Sequence, residues 1–147
     1  MSTQTIQSLD LTKETPRSPR ATLGGYVVAG RTLDKCRAAV AGTLGEYHFN
    51  CPLDQIFLSF AGVSAEGFQE FVATGADDDA VAKWIQENSS NTQEEIVKWN
   101  NDLRYKRINE MPVEIQVFLE GYIAEFIPQD RVIYHWFDVY DIEEGRI

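Results

Sequence analysis

The chain has 147 residues, 44% of them hydrophobic, and a formal net charge of −10, so its composition predicts a folded domain with a sizeable core. The acidic balance argues against nonspecific nucleic-acid binding, because phosphate contacts need clustered Lys and Arg side chains. No apolar run approaches the roughly 20 residues that a membrane span needs, and the first residues lack a signal-peptide layout, so we expect a soluble cytoplasmic protein without a nucleic-acid or membrane partner.

The domain organisation is expected to be simple. Residues 1–12 have the composition of a tail, and we expect a flexible N-terminal tail there, followed by a single helical domain over residues 13–147. The two cysteines, Cys36 and Cys51, are too few for a disulfide scaffold in a domain of this size. Both are therefore predicted to be free thiols.

The first predicted helix begins at Ser18, which can cap it with Pro19 at the first helical position, and runs to about Gly42. Apolar or small residues recur along it at helical spacing, namely Leu23, Tyr26, Val27, Gly30, Leu33 and Val40. Its weak point is the pair Gly24-Gly25, because glycine is unfavourable inside a helix. We expect a bend or a close backbone contact there.

Three short helices are predicted next from their end signals. Pro52 can open the second helix, and Gly62 closes it. Ser64 caps a third helix, which stops at Gly75. Asp77 begins a fourth, where consecutive aspartates suit the positive end of the helix.

Two further helices are predicted from a capping box and from periodicity. Thr92 and Glu95 form the capping box of a fifth helix. After Asp130, apolar residues at helical spacing favour a last helix over residues 131–143. The alternative there is a strand, because β-branched and aromatic residues crowd this stretch.

The segment from Pro112 to about Phe126 has apolar residues around most of its circumference, which is typical of a central core helix. The predicted fold is therefore all-α, a single compact domain of about six or seven short helices around this central apolar helix.

Arg37 falls in the middle of the apolar stripe of the first predicted helix. Burying an unpaired charge costs several kcal/mol, so Arg37 is expected to meet a carboxylate or to line a cleft. Beyond the predicted first helix, Glu46 and Asp54 are the nearest carboxylates in sequence. An ion pair between two helices and a ligand-binding group remain alternatives for this side chain.

The loop Glu46–Asp54 concentrates chemically capable side chains. If Pro52 is the first helical residue, Cys51 is the N-cap, where the helix dipole and free N–H groups stabilise a thiolate. His48 could accept the proton of this thiol. The pattern predicts a candidate nucleophile, and the alternative is that Cys51 is only a small buried hydrophobe.

Basic residues cluster near the predicted first helix. Arg20, Arg31 and Lys35 flank its apolar face, and Arg17 and Arg20 lie beside its N-terminus, where anions are favoured. Together with Arg37 they could bind a phosphate or carboxylate. The alternative is a solvated charged face.

Metal and cofactor sites are not predicted. His48, Cys51 and Cys36 offer zinc-type ligands, but their spacing matches no zinc pattern, and a closed structural site needs four ligands. The run Asp77–Asp79 lacks the register of a calcium-binding loop, and helix capping explains it. Walker, dinucleotide-binding and hydrolase motifs are absent from the sequence.

Several segments resemble one family. They are Asp10–Lys13, Pro16–Arg20, Leu23–Tyr26, Leu33–Lys35, Ala41–His48, Asn50–Asp54, Phe71–Asp77 and Trp136–Asp138. On these segments the chain is similar to an uncharacterised bacterial family, domain of unknown function 5069, over nearly its whole length. The resemblance implies a small bacterial cytoplasmic protein without an assigned activity, so it contributes no functional residue.

We expect an intracellular ligand-binding or regulatory module, with an anion-accepting cleft between the first helix and the loop Glu46–Asp54. Its partner would be a small anionic ligand or another protein. One alternative is a small thiol-dependent enzyme that uses Cys51 and His48. Another is a structural homo-oligomer or scaffold protein.

Overall fold

The computed structural model describes residues 9–147, and this part of the chain is mostly helical. It contains seven α-helices, one short 3-10 helix and a sheet of two short strands, which confirms the all-α prediction. The chain divides into two compact units, one that ends at Val97 and one formed by Lys98–Ile147. A single domain over residues 13–147 therefore stays a prediction.

The elements follow one another in a simple order. The first unit contains β1 (Thr22–Leu23), β2 (Tyr26–Val27), α1 (Ala29–Ala41), α2 (Pro52–Ala61), α3 (Ala65–Val72) and α4 (Asp78–Asn88). The helix α5 (Gln93–Arg104) includes the boundary between the units, and the second unit continues with a 3-10 helix (Ile108–Glu110), α6 (Val113–Phe126) and α7 (Trp136–Glu143). Among the described residues, no helix has the length and apolar content needed to cross a membrane.

The predicted end signals of the middle helices are confirmed except at Gly75, because α3 already ends at Val72. Pro52 is the first residue of α2, and Gly62 ends it in a left-handed conformation. Oγ of Ser64 accepts a hydrogen bond from the amide of Gly67 at the start of α3. Thr92 and Glu95 exchange the reciprocal bonds of a capping box, at 3.1 and 2.8 Å. Oδ1 of Asp77 accepts a hydrogen bond from the amide of Ala80 and so caps α4, as Ser64 caps α3. These signals work because each needs only residues three apart.

The first helix begins later than predicted, at Ala29 instead of Ser18. Gly24 and Gly25 have φ values of 62° and 92°, so they form the tight turn of a hairpin. Thr22 pairs with Val27 and Leu23 with Tyr26 on either side of that turn. Two consecutive residues with positive φ are the requirement of a tight primed turn, which explains the glycine pair.

Helix α1 is the buried centre of the first unit. All ten residues from Ala29 to Ala38 are buried, and the helix packs against β1, α2 and α3. The aromatic core beside it includes the edge-to-face pair of Tyr26 and Phe57. Since α1 has no solvent-facing side over this stretch, its polar side chains have to find partners inside the protein.

The last four residues of the predicted tail are bonded to the first unit. Leu11 is buried, and its amide donates to the carbonyl of Thr43. The hydroxyl of Thr43 donates in turn to the carbonyl of Leu9. Residues 9–12 are therefore part of this unit and not a tail, while the rest of the predicted tail, residues 1–8, lies outside the described residues.

Helix α6 forms as predicted, but its central position in the core is wrong. Only Leu119 of this helix is buried. Val113, Val117 and Phe118 are 67%, 68% and 64% exposed. Apolar residues around most of a helix therefore predicted burial that the structure does not show.

The last helix, α7, begins at Trp136, later than the predicted cap at Asp130. Oδ2 of Asp138 accepts hydrogen bonds from the amides of Tyr134 and His135, both at 2.9 Å, and so caps α7 from its third position. Residues 136–143 are helical and residues 131–135 are not, so the choice of helix over strand is confirmed for the larger part of this stretch.

Candidate functional site

A buried polar cluster joins the centre of α1 to the start of α2. Nζ of Lys35 lies 3.0 Å from Oδ2 of Asp54 and 3.2 Å from Sγ of Cys51. The side chains of Lys35 and Asp54 are 4% and 0% exposed. The hydroxyl of Thr32, which precedes Lys35 by three residues on α1, donates to Oδ1 of Asp54 at 2.7 Å. We call Thr32, Lys35, Cys51 and Asp54 the thiol cluster.

The local sequence explains why Asp54 points inward. It is the third residue of α2, after the N-cap Cys51 and the first helical residue Pro52. Its Oδ2 accepts a hydrogen bond from the amide of Asn50 at 2.9 Å and a longer one from the amide of Cys51. One carboxylate therefore caps α2 and binds the lysine of α1, and this lysine in turn contacts the thiol.

The two cysteines occupy different environments. Cys36 is completely buried, and burial, assisted by the charge of Asp54, raises its pKa to about 12. Cys51 is only half-buried and lies at the N-terminus of α2 with a lysine ammonium beside it. Both cysteines are free, as predicted.

The predicted base is not beside the thiol. His48 is exposed, and within residues 9–147 no hydrogen bond or ion pair joins it to Cys51. Glu46 is exposed as well. The loop Glu46–Asp54 therefore contributes Cys51 and Asp54 to the cluster, and the group that contacts the thiol comes from α1.

A second cluster contains alternating arginines and aspartates. Nε and Nη2 of Arg17 each donate to the carboxylate of Asp34 at 3.0 Å, and Nη1 of Arg17 donates to Asp78 at 3.0 Å. Nη1 of Arg37 donates to the other oxygen of Asp78 at 2.8 Å, and Nη2 donates to the carbonyl of Ala76. Arg37 thus pairs with Asp78 of α4, and the predicted partners Glu46 and Asp54 are wrong.

Gly30 leaves room for this arrangement. A Cβ atom at this position would lie 3.2 Å from Nε of Arg17. The glycine inside α1 is therefore explained by the guanidinium that lies across the helix, and not by the apolar stripe to which the sequence pattern assigned it.

The arginine–aspartate cluster lines an open cleft of about 480 Å³. The lining residues are Leu9, Arg17, Asp34, Arg37 and Asp77–Asp79, so two guanidinium groups face four carboxylates. The loop Glu46–Asp54 is not among them. A cleft between that loop and the first helix stays a prediction, whereas the observed cleft lies at the start of α4.

Two other predicted anion-binding residues have structural contacts. Arg31 is buried, donates to the carbonyl of Arg17 at 3.2 Å and lies over the ring of Tyr47 at 5.7 Å. Arg20 is half-buried, and its amide donates to Oγ of Ser18. Neither residue lines the cleft at Arg17 and Arg37.

Sequence reasoning missed Thr32, Asp34 and Asp78 as partners of the candidate residues. A signal for Asp34 was present, since four charged residues of the predicted first helix fall within seven positions, Arg31 to Arg37, of a largely apolar segment. Asp78 had no such signal, because it is 41 positions from Arg37.

Within residues 9–147, no group of three or more His, Cys, Asp or Glu side chains is arranged to hold a metal ion. The thiol cluster has one sulfur and one carboxylate, and the carboxylate is already bonded to Lys35 and Thr32. A closed structural zinc site needs four ligands.

The chain was compared with known families and proteins. No curated protein matches it. The model of the family described as Domain of unknown function (DUF5069) matches residues 13–146, nearly the whole chain. The chain therefore belongs to the DUF5069 family.

Proposed function

We propose that this protein is a small thiol-dependent enzyme in which Cys51 is the nucleophile. The observation that carries the proposal is the 3.2 Å contact between Nζ of Lys35 and Sγ of Cys51. Lys35 is paired with Asp54, and its ammonium also lies against the sulfur of Cys51. A positive charge at this distance favours the thiolate, which is the nucleophilic form of cysteine.

Asp54 supports this role by holding Lys35 in place. The carboxylate binds Nζ and is itself held by the Thr32 hydroxyl and the Asn50 amide. Lys35 therefore has one defined position, and the thiol approaches it from the exposed side of the cluster. In this proposal Lys35 replaces His48 as the group that favours the thiolate.

The chemistry would begin with attack of Sγ on an electrophilic carbon of a substrate that reaches the half-buried thiol. A new S–C bond forms, the bond from that carbon to the leaving group breaks, and the leaving group takes the electron pair. The Lys35 ammonium keeps the thiolate available, and the N-terminus of α2 favours negative charge at the same place.

Alkylation of the two thiols tests the proposal. The protein is treated with iodoacetamide between pH 6 and 9, and modification of each cysteine is followed by mass spectrometry. Cys36 serves as the internal control, because its burial and raised pKa predict no reaction while the protein is folded. We expect Cys51 to react faster than free cysteine at pH 7.

Matched variants separate activation from mere exposure. The pair Lys35→Met with Asp54→Asn removes the ammonium without leaving a buried charge, and it should slow alkylation of Cys51 to the rate of free cysteine or below. His48→Ala should leave the rate unchanged, because His48 does not contact the thiol. If wild-type Cys51 reacts no faster than free cysteine across this pH range, the thiol is a structural cap and the proposal fails.

A ligand-binding module is the second candidate, and one observation favours it. Nε of Arg37 is buried in the cleft wall and has no hydrogen-bond partner within residues 9–147. The four carboxylates of the cleft oppose an anionic ligand. Thermal unfolding with phosphate, nucleotides and dicarboxylates tests it, since a ligand at a hundred times its Kd adds about 2.7 kcal/mol. A midpoint rise that Arg37→Ala abolishes would favour this candidate.

A further inference from the structure

The exposed side of α6 is continuous and has an ordered pattern. At about 100° per residue, eight of the nine exposed positions of α6 fall on one side of the helix, namely 113, 114, 117, 118, 120, 121, 124 and 125, and the ninth is Phe126 at its end. Val113, Val117, Gly121 and Ala124 follow one another along the middle of this side, at steps of four, four and three residues. We call these four residues the α6 seam.

The α6 seam has the composition of a helix-docking surface. Steps of four and three residues are those of a helix that packs against another helix along its length. Gly121 and Ala124 allow close approach of a partner backbone, and the two valines supply apolar contact. Both valines are more than 60% exposed in a helix whose other faces are also apolar. Such a helix is expected to be covered on this side as well.

The charges beside the α6 seam select the partner. Glu120 lies on one flank, and Glu114 and Glu125 lie on the other. Helix α6 contains no Lys or Arg. Charges that flank an apolar seam choose the partner by complementarity, and like charges across it are unfavourable.

These charges argue against two other occupants of the α6 seam, a second copy of this chain and residues 1–8. A second copy would bring glutamates against glutamates in either orientation of the two helices. Residues 1–8 contain no Lys or Arg, so they do not complement the flanks either.

We propose that the α6 seam binds a basic amphipathic helix of another protein. The partner helix presents apolar residues to Val113 and Val117, and Lys or Arg residues to the glutamates on the two flanks. Apolar area supplies affinity, and the acidic flanks supply partner choice and a dependence on salt. This inference is independent of the thiol chemistry proposed above.

Peptide binding to the full chain tests the proposal. The probe is a fluorescent synthetic helix of about three heptads, with Leu in the seam positions and Lys on both flanks. A companion peptide has Glu in place of every Lys. Fluorescence anisotropy should show saturable binding of the Lys peptide that weakens with added salt, and much weaker binding of the Glu peptide.

Three variants test whether the Lys peptide binds at the α6 seam. Val117→Asp should weaken the Lys peptide at least about tenfold, while Val97→Asp, at an exposed valine of α5, should leave it unchanged. Changing Glu114, Glu120 and Glu125 together to Lys should reverse the preference to the Glu peptide. Circular dichroism checks that each variant is folded.

Two results would overturn the proposal. One is a Lys peptide that fails to saturate or binds the Val117→Asp variant as well as the wild type. The other is a wild-type dimer by light scattering that Val117→Asp converts to a monomer, which would assign the α6 seam to a second copy of this chain.

Discussion

The ammonium of Lys35 and the carboxylate of Asp54 form an ion pair of 3.0 Å in which neither side chain is more than 4% exposed. Desolvation of two charges offsets most of their attraction, so such a pair contributes little net stability. Removing one partner is different, because it leaves the other charge buried and uncompensated. Removing one charge of the thiol cluster should therefore lower the free energy of unfolding, whether or not the protein is an enzyme.

We expect Asp54→Ala to lower the free energy of unfolding by about 3–5 kcal/mol, since it leaves Lys35 buried without its carboxylate. Urea denaturation followed by circular dichroism measures the change. The double variant Lys35→Met with Asp54→Asn removes both charges and should recover much of the loss. If the double variant is as unstable as Asp54→Ala, the buried charge is not the cause.

Arg37→Ala is expected to lower the free energy of unfolding by about 1–3 kcal/mol, because its guanidinium donates to both Asp78 and the carbonyl of Ala76. A double-mutant cycle with Asp78→Asn isolates the coupling between the two side chains. We expect a favourable coupling, measured by urea denaturation. Additive effects of the two substitutions would mean that the ion pair with Asp78 contributes nothing to the stabilising effect of Arg37.

The arginine–aspartate cluster predicts acid sensitivity. Burial on its own would raise the pKa of Asp78, but hydrogen bonds and charges from Arg37 and Arg17 outweigh it, so the pKa lies below its ordinary value. A carboxyl group whose pKa is lowered by folding stabilises the protein at pH values above its unfolded-state pKa of about 4. This stabilisation is lost as the pH falls through the lower pKa of the folded state.

Wild type and Asp78→Asn should therefore differ in unfolding free energy at pH 7 and converge towards pH 2 in urea titrations. Asp79→Asn is the matched control, because no ion pair of Asp79 occurs among residues 9–147. The difference in unfolding free energy between Asp79→Asn and wild type should not shrink in the same way between pH 7 and pH 2. A constant difference for Asp78→Asn down to pH 2 would contradict the role of the two arginines.

Gly24→Ala should destabilise the hairpin more than Gly62→Ala destabilises the end of α2. Both residues have positive φ, which costs about 1–2 kcal/mol for a residue with a Cβ. A Cβ at Gly24 would also lie 3.3 Å from the backbone oxygen of Ala82, whereas nothing lies within 4 Å at Gly62. Thermal unfolding of the two variants compares them, and equal losses would show that the close contact relaxes.

Local signals predicted much of the helical organisation. The starts at Pro52, Ala65, Asp78 and Gln93 follow from caps whose donor and acceptor are three residues apart. Where the sequence prediction of an element is wrong, a second local signal matches the observed structure. The pair Gly24-Gly25 suits a hairpin turn better than a bent helix, and Asp138 rather than Asp130 caps the last helix.

The sequence predicted two residues of the candidate site but not the residues that contact them. The sequence identified Cys51 as an N-cap thiol and Arg37 as a charge on a buried face, because both statements need only the position of a residue in one helix. Their partners lie far along the chain, with Lys35 placed 16 residues before Cys51 and Asp78 placed 41 residues after Arg37.

The sequence by itself thus determined the helical class, most helix ends and which side chains carry chemistry, since these depend on contacts within one turn or on composition. Tertiary structure alone decided that α1 is buried, that Lys35 contacts Cys51 and Arg37 contacts Asp78, and that one side of α6 is exposed. The physical reason is that burial and pairing depend on which helix faces meet, and hydrophobic periodicity marks a face without naming its neighbour.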